Sequence, residues 1–258
     1  MLHFLLPRVT DQISACDRLA EPFVGGGSFF FSTSPKKALL SDLNVELIDL
    51  YRGIRRHPTE VWRVFSGLPS TKRAYYQIRA WRTCELDFPT RAARTLYLNR
   101  TCFKGMWRHN LNGDFNIGYG GQDRRWVVTK EMLVEVSRRL QRASLRCADF
   151  EEVLDNCQNG DFAFLDPPYR PGRREMLHDH YRGGKFTFGD HKRLSAALAR
   201  ASRRGVRWAM TTSAHPAIVS LFLGFQIVKM PIGTGRRVGT TCRNSGEVLI
   251  RNYVEKRP

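Results

Sequence analysis

The residues Phe162-Ala163-Phe164-Leu165-Asp166-Pro167-Pro168-Tyr169 begin as an apolar run of strand length and stop abruptly at two consecutive prolines. Each proline fixes φ and removes a backbone donor, so the carbonyls of Asp166 and Pro167 are left to accept hydrogen bonds from a ligand instead of a neighbouring strand. A carboxylate and an aromatic ring flank them. Two acceptors beside a stacking surface suit a planar group with an exocyclic amine, and a nucleobase is the obvious example. The plainer reading is a polar turn after a buried strand, and four residues alone do not decide between the two.

Working outward, Leu19 to Phe23 leads into Val24-Gly25-Gly26-Gly27-Ser28 and then Phe29 to Ser32. This reads as a strand, a tight glycine turn and the opening of a helix. Lys37 to Ser41 is a second short strand, ending in Ser41-Asp42-Leu43-Asn44. Val45, Leu47, Ile48, Tyr51 and Ile54 recur at helical spacing up to Arg56, and Pro58 punctuates the pattern. Short apolar strands return at Leu145 to Ala148, Phe162 to Leu165, Val206 to Thr211, Gly224 to Met230 and Glu247 to Tyr253, with a crossover helix around Leu194, Ala197, Leu198 and Ala201. Strands alternating with helices, with acids and glycines at strand ends, predict a Rossmann-like α/β domain that binds ligands at the carboxyl ends of its strands. That domain is assigned residues 1–56 and 142–258. Residues 57–141, basic, aromatic and mainly helical, form an insertion, within which Asn112-Gly113 is a hairpin signal.

A chain of 258 residues, 42% of them hydrophobic, buries a sizeable core. Its 42 Lys and Arg exceed 24 Asp and Glu by 18, which points to a polyanionic partner. The basic residues are spread along the chain (Arg52, Arg55, Arg56; Arg91, Arg94; Arg138, Arg139; Arg203, Arg204; Arg236, Arg237) instead of lying in one tail or one amphipathic helix. That favours nucleic acid over a membrane surface. No apolar run approaches the ~20 residues of a membrane span, and no secretory leader is visible. The expectation is a cytoplasmic protein of a bacterial cytosol or nucleoid, or one encoded by a phage. Six cysteines show no C-x-x-C pair and no zinc spacing, so they read as reduced packing residues and no metal is expected.

Glu21-Pro22-Phe23-Val24-Gly25-Gly26-Gly27 lacks the G-x-G-x-x-G spacing of a dinucleotide site, and suits an adenosine ligand without phosphates better. Asp42, at the next strand end, is placed to accept from ribose hydroxyls, or to cap the helix that follows. Asp149-Phe150 offers an acceptor and a ring to an adenine face, or a helix cap and a core ring.

Taken in order, these segments resemble the Dam family of DNA adenine-N6 methyltransferases, the D12 class, over nearly the whole chain. The resemblance makes Glu21 to Gly27 the first S-adenosyl-L-methionine motif, Asp42 the ribose acid, Asp149-Phe150 the adenine contact, and Asp166-Pro167-Pro168-Tyr169 the catalytic tetrapeptide, with Asp166 also lining the cofactor pocket. Leu98-Asn99-Arg100-Thr101-Cys102-Phe103 with Gly105, Arg108, Asn110, Gly113, Phe115 and Asn116 is similar to its target-recognition segment. Phe188, His191, Leu194 and the ending Glu247 to Tyr253 match as well. The implied fold is a Rossmann-like methyltransferase sheet with an inserted, mainly helical target-recognition domain. The implied activity is transfer of methyl from S-adenosyl-L-methionine to N6 of an adenine flipped out of double-stranded DNA, a reaction known from restriction-modification systems.

Within the insertion, Arg108, His109, Asn110 and Asn112 are the groove-contact candidates, with phosphate contact the rival reading; Arg100, Arg124 and Arg125 are the phosphate candidates, and Lys104 is a further DNA-binding candidate. The chain departs from the family pattern in three places. It begins at Met1, beyond the Gly-Gly-Lys segment that precedes the first motif in relatives, so either the start lies further upstream or cofactor binding is weak. Asn112, Lys104 and Gly118 differ from residues of GATC-reading relatives, which leaves the recognised sequence open. The basic segment from Arg170 to Lys185 is unlike the family. Two alternatives remain at this stage: a non-catalytic DNA-binding relative, and a methyltransferase acting on RNA or on cytosine N4.

Overall fold

The computed structural model describes residues 2–110, 113–121, 124–169, 186–234, 241–243 and 246–254. Asn112 and the basic segment 170–185 lie outside the described residues. In chain order, α1 (Leu2–Ala15), β1 (Arg18–Glu21), α2 (Ser28–Ser32) and β2 (Ala38–Asp42) come first. Helices α3 (Val45–Arg56), α4 (Pro58–Gly67), α5 (Lys72–Arg79), α6 (Phe88–Thr101) and α7 (Lys130–Leu140) follow. The chain then runs through β3 (Ala143–Cys147), α8 (Phe150–Asp155), β4 (Asp161–Leu165), α9 (Phe188–Arg203), β5 (Arg207–Ser213) and α10 (Pro216–Val219). It ends with β6 (Gln226–Lys229), β7 (Ile232–Thr234), β8 (Thr241–Arg243) and β9 (Glu247–Arg251).

Seven strands form one sheet in the order β3-β2-β1-β4-β5-β9-β6, and β7 with β8 forms a separate two-stranded ribbon. β1 runs parallel to β2 and β4, and β4 parallel to β5, while β9 pairs antiparallel with both β5 and β6. Every residue of β2, β4 and β9 is buried. That is why those strands read as continuous apolar runs without alternation: helices cover both faces of such a sheet. Leu194, Ala197, Leu198 and Ala201 of α9 and Val153 and Leu154 of α8 pack with Trp208 and Met210 of β5 in the main core cluster. α9 begins in a capping box, with Thr187 Oγ1 accepting from the Asp190 amide and the Asp190 carboxylate accepting from the Thr187 amide. The Trp208 indole, fully buried, is satisfied by Ser202 Oγ at 2.8 Å.

The chain divides into two compact units, one holding the described residues up to Leu43 and from Arg146 onward, the other Asn44–Leu145. The sequence reading placed the boundaries at 56/57 and 141/142. α3 accounts for the first difference, because it packs on α6 and α7 and so goes with the helical insertion. Its closest approach is at Gly53, where a Cβ would stand 2.5 Å from the Ala92 Cβ. The second boundary falls within β3. In the helical unit Arg94, only 3% exposed, donates to the carbonyls of Ile78 and Arg79 at 3.1 and 2.7 Å. These bonds engage Nε and Nη2 of a buried guanidinium at the end of α5, and Nη1 faces Glu46 Oε1 at 3.6 Å. α1 and the β7–β8 ribbon have no counterpart in the sequence reading.

Gly53→Ala forces α3 and α6 apart or distorts one of them, and overpacking of this kind costs about 1–3 kcal/mol. Chemical denaturation is expected to show a lower midpoint with an unchanged slope; an unaltered midpoint would contradict the close packing of these helices.

Candidate active site

β1 ends at Glu21 and the chain then turns through Val24–Ser28, where Gly25 has φ +46° and Gly27 φ +67°, conformations that a side chain disfavours. Gly26 has an ordinary φ, so two of the three glycines are required by the backbone. Gly25 N donates to Asp42 Oδ2 at 3.1 Å, which ties this turn to the end of β2. Asp42 is buried and shapes the turn. It does not cap the next helix; Asn44 does, accepting from the amides of Glu46 and Leu47 at 3.1 and 3.3 Å. Beyond the turn, Phe29 stacks on Phe164 of β4 with centroids 3.7 Å apart.

Parallel pairing of β1 with β4 matches Leu19 to Phe162 and Ala20 to Ala163, so the ends of both strands reach the same edge of the sheet. Asp166 follows β4 there. Its Oδ1 accepts from Tyr169 Oη at 3.0 Å and from Thr211 Oγ1 of β5 at 2.5 Å. Pro167 is buried, and Pro168 and Tyr169 are half-buried. Removal from water, and then the charge of Asp166, raise the Tyr169 phenol, which therefore stays protonated and donates.

Three acids meet at this edge. Glu21 is 3% exposed, and its Oε1 has no hydrogen-bond partner. Burial first, and then the charge of Asp166, push its carboxyl well above the ordinary glutamate range, against a backbone hydrogen bond from Phe30 that lowers it. Asp166 is raised as well, first by desolvation and also by Glu247 at the start of β9, while the bonds from Thr211 and Tyr169 hold it down. One side of Asp166 is open to solvent, and water there limits the shift. In a chain of net charge +18, this edge is a local concentration of negative charge.

Phe23 stacks on Phe150 at 5.4 Å, and Phe186 stands edge-on to Phe23 at 5.8 Å and to His191 at 4.8 Å. Asp149 caps α8 through the Glu151 amide at 2.9 Å and pairs with Arg193 at 2.8 Å. The plainer reading of Asp149-Phe150, a cap and a core ring, is thus present in the structure. Glu21, Pro22, Phe23, Gly25, Gly26, Gly27, Asp42, Asp149, Phe150 and Asp166 to Tyr169 all fall in the sheet unit.

The remaining site candidates lie in the helical unit. The His109 ring is 3% exposed and bonds Glu46 Oε2 at 2.7 Å, with Arg94 on the other Glu46 oxygen at 3.6 Å. That bond ties its loop to the start of α3. Arg125 donates to the Leu68 carbonyl and lies over the Tyr97 ring at 5.3 Å, so its guanidinium is engaged within the unit. Arg108 donates to Asn116 Oδ1 at 2.8 Å, and Asn110 exchanges hydrogen bonds with Asp114 around the turn at Gly113. His109 and Phe115 form an antiparallel bridge on either side of the Asn112-Gly113 signal, of which Asn112 lies outside the described residues. Lys104 is exposed, at φ +55° beside Phe103, and Arg124 is exposed. The Arg100 side chain is half-buried with a lowered pKa caused by burial, and its Nε has no partner. Trp126, 79% exposed beside Arg124 and Arg125, was not singled out from sequence, where a lone Trp gives no sign of facing water.

Comparison with known proteins follows from this geometry. Residues 4–231 match the D12 class N6 adenine-specific DNA methyltransferase family. The chain is 31% identical over 244 residues to a type II methyltransferase of Lactococcus lactis subsp. cremoris, covering 90% of this chain and 85% of that one. It is 33% identical over 207 residues to a DNA adenine methylase of Vibrio cholerae, covering 78% and 74%. It is 28% identical over 252 residues to a type II methyltransferase of Methanocaldococcus jannaschii, covering 90% and 87%.

The raised Glu21 carboxyl gives a test of the acidic edge. An acid held above its unfolded value contributes stability at low pH that is lost as pH rises through the folded value. Glu21→Gln keeps the shape and removes the titration. Without ligand, the stability of Glu21→Gln relative to the parent is expected to increase from pH 5 to pH 8 in denaturant titrations; a difference independent of pH would rule out the shift.

Proposed function

The chain belongs to the D12 class N6 adenine-specific DNA methyltransferases, and we propose that Asp166, Pro167, Pro168 and Tyr169 carry out that reaction on an adenine turned out of double-stranded DNA. S-adenosyl-L-methionine, when bound, supplies a methyl group on a sulfonium. The residues at the sheet edge fit that cationic ligand. The buried Glu21 Oε1 lacks a partner, and a positive group beside it would draw its carboxyl back toward the ionised form. The positive-φ turn at Gly25 and Gly27, with Gly26 between them, lets backbone approach a ligand closely. Phe23 and Phe150 offer ring faces. Pro22 and Asp42 hold the turn, Asp42 through Gly25 N, and Asp149 is the remaining acceptor.

An adenine inside a duplex cannot reach the end of a strand, so it has to leave the stack, at a cost of a few kcal/mol partly recovered by stacking and hydrogen bonds in the pocket. Tyr169 supplies the ring face. The Asp166 carboxylate and the Pro167 carbonyl accept the two N6 hydrogens, which draws the nitrogen lone pair out of conjugation and aims it at the methyl. With S-adenosyl-L-methionine bound, a bond from N6 to the methyl would form as the sulfur–methyl bond breaks, the thioether S-adenosyl-L-homocysteine would leave, and N6 would lose a proton. Positioning and electrostatics supply the rate, and Asp166 has to be ionised to take part. The observation that carries this reading is Asp166 at the end of β4, fixed by two hydroxyls and set beside the glycine turn. In the helical unit, Arg100, Lys104, Arg108, Asn110, Asn112 and Arg124 are the DNA contacts, with His109 and Arg125 as supports of the fold. Arginine and asparagine suit base edges, and exposed cations suit phosphates.

The experiment is transfer of labelled methyl from S-adenosyl-L-methionine to mixed-sequence DNA, with the product nucleoside identified. N6-methyladenine is the expected product. Asp166→Ala is expected to abolish transfer and leave DNA affinity unchanged; full activity in that variant would refute the assignment.

A further inference from the structure

The reaction reading leaves the Asp166 carboxylate with two oxygens, and the structure treats them differently. Oδ1 receives two hydroxyl donors, Thr211 Oγ1 at 2.5 Å and Tyr169 Oη at 3.0 Å. Oδ2 receives none among the described residues. Of the two donors, Thr211 is the better fixed. It is fully buried in β5, paired with Leu249 of β9 on one side and one residue beyond Met210, which pairs with Leu165 of β4, on the other. Being β-branched, its side chain has few rotamers to choose from. Its other contact, the Leu165 carbonyl at 3.4 Å, is long, and the short bond to Asp166 is the one that uses the hydroxyl hydrogen. Tyr169 belongs to the tetrapeptide itself and moves with it.

We propose that Thr211 is a positioning residue for methyl transfer: its hydroxyl clamps Oδ1 of Asp166, so that Oδ2 is the oxygen presented to the N6 amine of the flipped adenine. The proposal rests on Asp166 being the catalytic acceptor. It adds a residue from a different strand, which acts through Asp166 and also lies within hydrogen-bonding reach of the Tyr169 hydroxyl. Two consequences follow. A carboxylate free to rotate about χ2 would offer the amine either oxygen at varying angles, and loss of such a clamp lowers the rate constant more than the affinity. The clamp also favours the ionised carboxylate, which three other groups work on from the elements around it: Glu21 at the end of β1, Glu247 at the start of β9 and the Tyr169 phenol. Without the Thr211 hydroxyl the two acids act unopposed by it, so Asp166 takes up a proton at higher pH.

Thr211→Val and Thr211→Ala both lack the hydroxyl, the first keeping the volume and the second relieving any crowding. Both are compared with Thr211→Ser, which keeps the hydroxyl. Initial rates of methyl transfer are measured against pH and against the concentrations of DNA and S-adenosyl-L-methionine. The expected result is a fall in kcat of about tenfold to a hundredfold in the Val and Ala variants, with little change in either KM. The acid limb of their pH profile moves to higher pH, and Thr211→Ser recovers both properties. Wild-type kcat and an unmoved acid limb in either variant lacking the hydroxyl would overturn the proposal while leaving Asp166 in place. Thr211→Ser falling as far as the Ala variant would overturn it too, since that result assigns the effect to the methyl. Asp166→Asn, measured alongside, separates the premise: full activity there would remove the reading on which the clamp depends.

Discussion

Parallel pairing of β1 with β4 is the constraint on which the rest of the site depends. The register that sets Leu19 against Phe162 brings Glu21, the glycine turn and Asp166 to one edge of the sheet. At the opposite end of the same pair, Arg18 holds Asp161 at 2.5 Å. A slip of one residue would turn every side chain of a strand to the other face, and with both faces of β4 buried such a slip is strongly opposed. The geometry at the edge therefore follows from strand pairing, and the prolines follow Asp166, which comes directly after the end of β4.

That edge sets electrostatics against fold stability. Glu21, Asp166 and Glu247 converge where a sheet would be steadier with one acid or none, and both Glu21 and Asp166 are pushed toward the protonated form. A site that has to hold a cation and then present an ionised acceptor benefits from that arrangement, because the ligand supplies the positive charge that the folded chain leaves out. Elsewhere in the sheet unit acids are paired closely with arginines, as in the network of Arg193 and Arg200 with Asp149, Glu151, Asp155 and Asp190. Those groups stabilise α8 against α9 and contribute little to an attraction for DNA.

The sequence announces what has a local cause. Val45–Arg56 is helical over the range its periodicity predicts, and the strands read from apolar runs are all present within a few residues. The tetrapeptide and the glycine turn are visible because prolines and glycines mark backbone that departs from regular structure. Features decided by distant contacts are invisible by the same reasoning. Thr211 is one β-branched residue in an apolar strand, and only the neighbouring strand turns it into a clamp. His109 and Arg125 look like basic groups in a basic loop, yet Glu46 and the Leu68 carbonyl, far away in sequence, claim them. The helix cap is Asn44 and not Asp42 because α3 starts at Val45, two residues later than a cap at Asp42 would place it, while Asp42 accepts from Gly25 N in another segment. The first unit boundary shifted for a similar reason, since α3 finds its partner in α6 through Gly53, a contact that periodicity does not encode.

The bond between Arg18 and Asp161 joins residues 143 positions apart, with the whole helical unit threaded between them. Closing so long a flexible loop costs about 4 kcal/mol in chain entropy, from the logarithmic dependence on loop length. The helical unit is itself built mainly from contacts between helices well apart in the chain, α3 with α6 and α7 and α4 with α6, but the loops these contacts close are shorter than the one between Arg18 and Asp161. Where that unit condenses early, the loop left to close is shorter and the central strand pair meets at lower entropic cost. The length of chain between β1 and β4 thus makes the helical unit part of what joining the central strand pair costs.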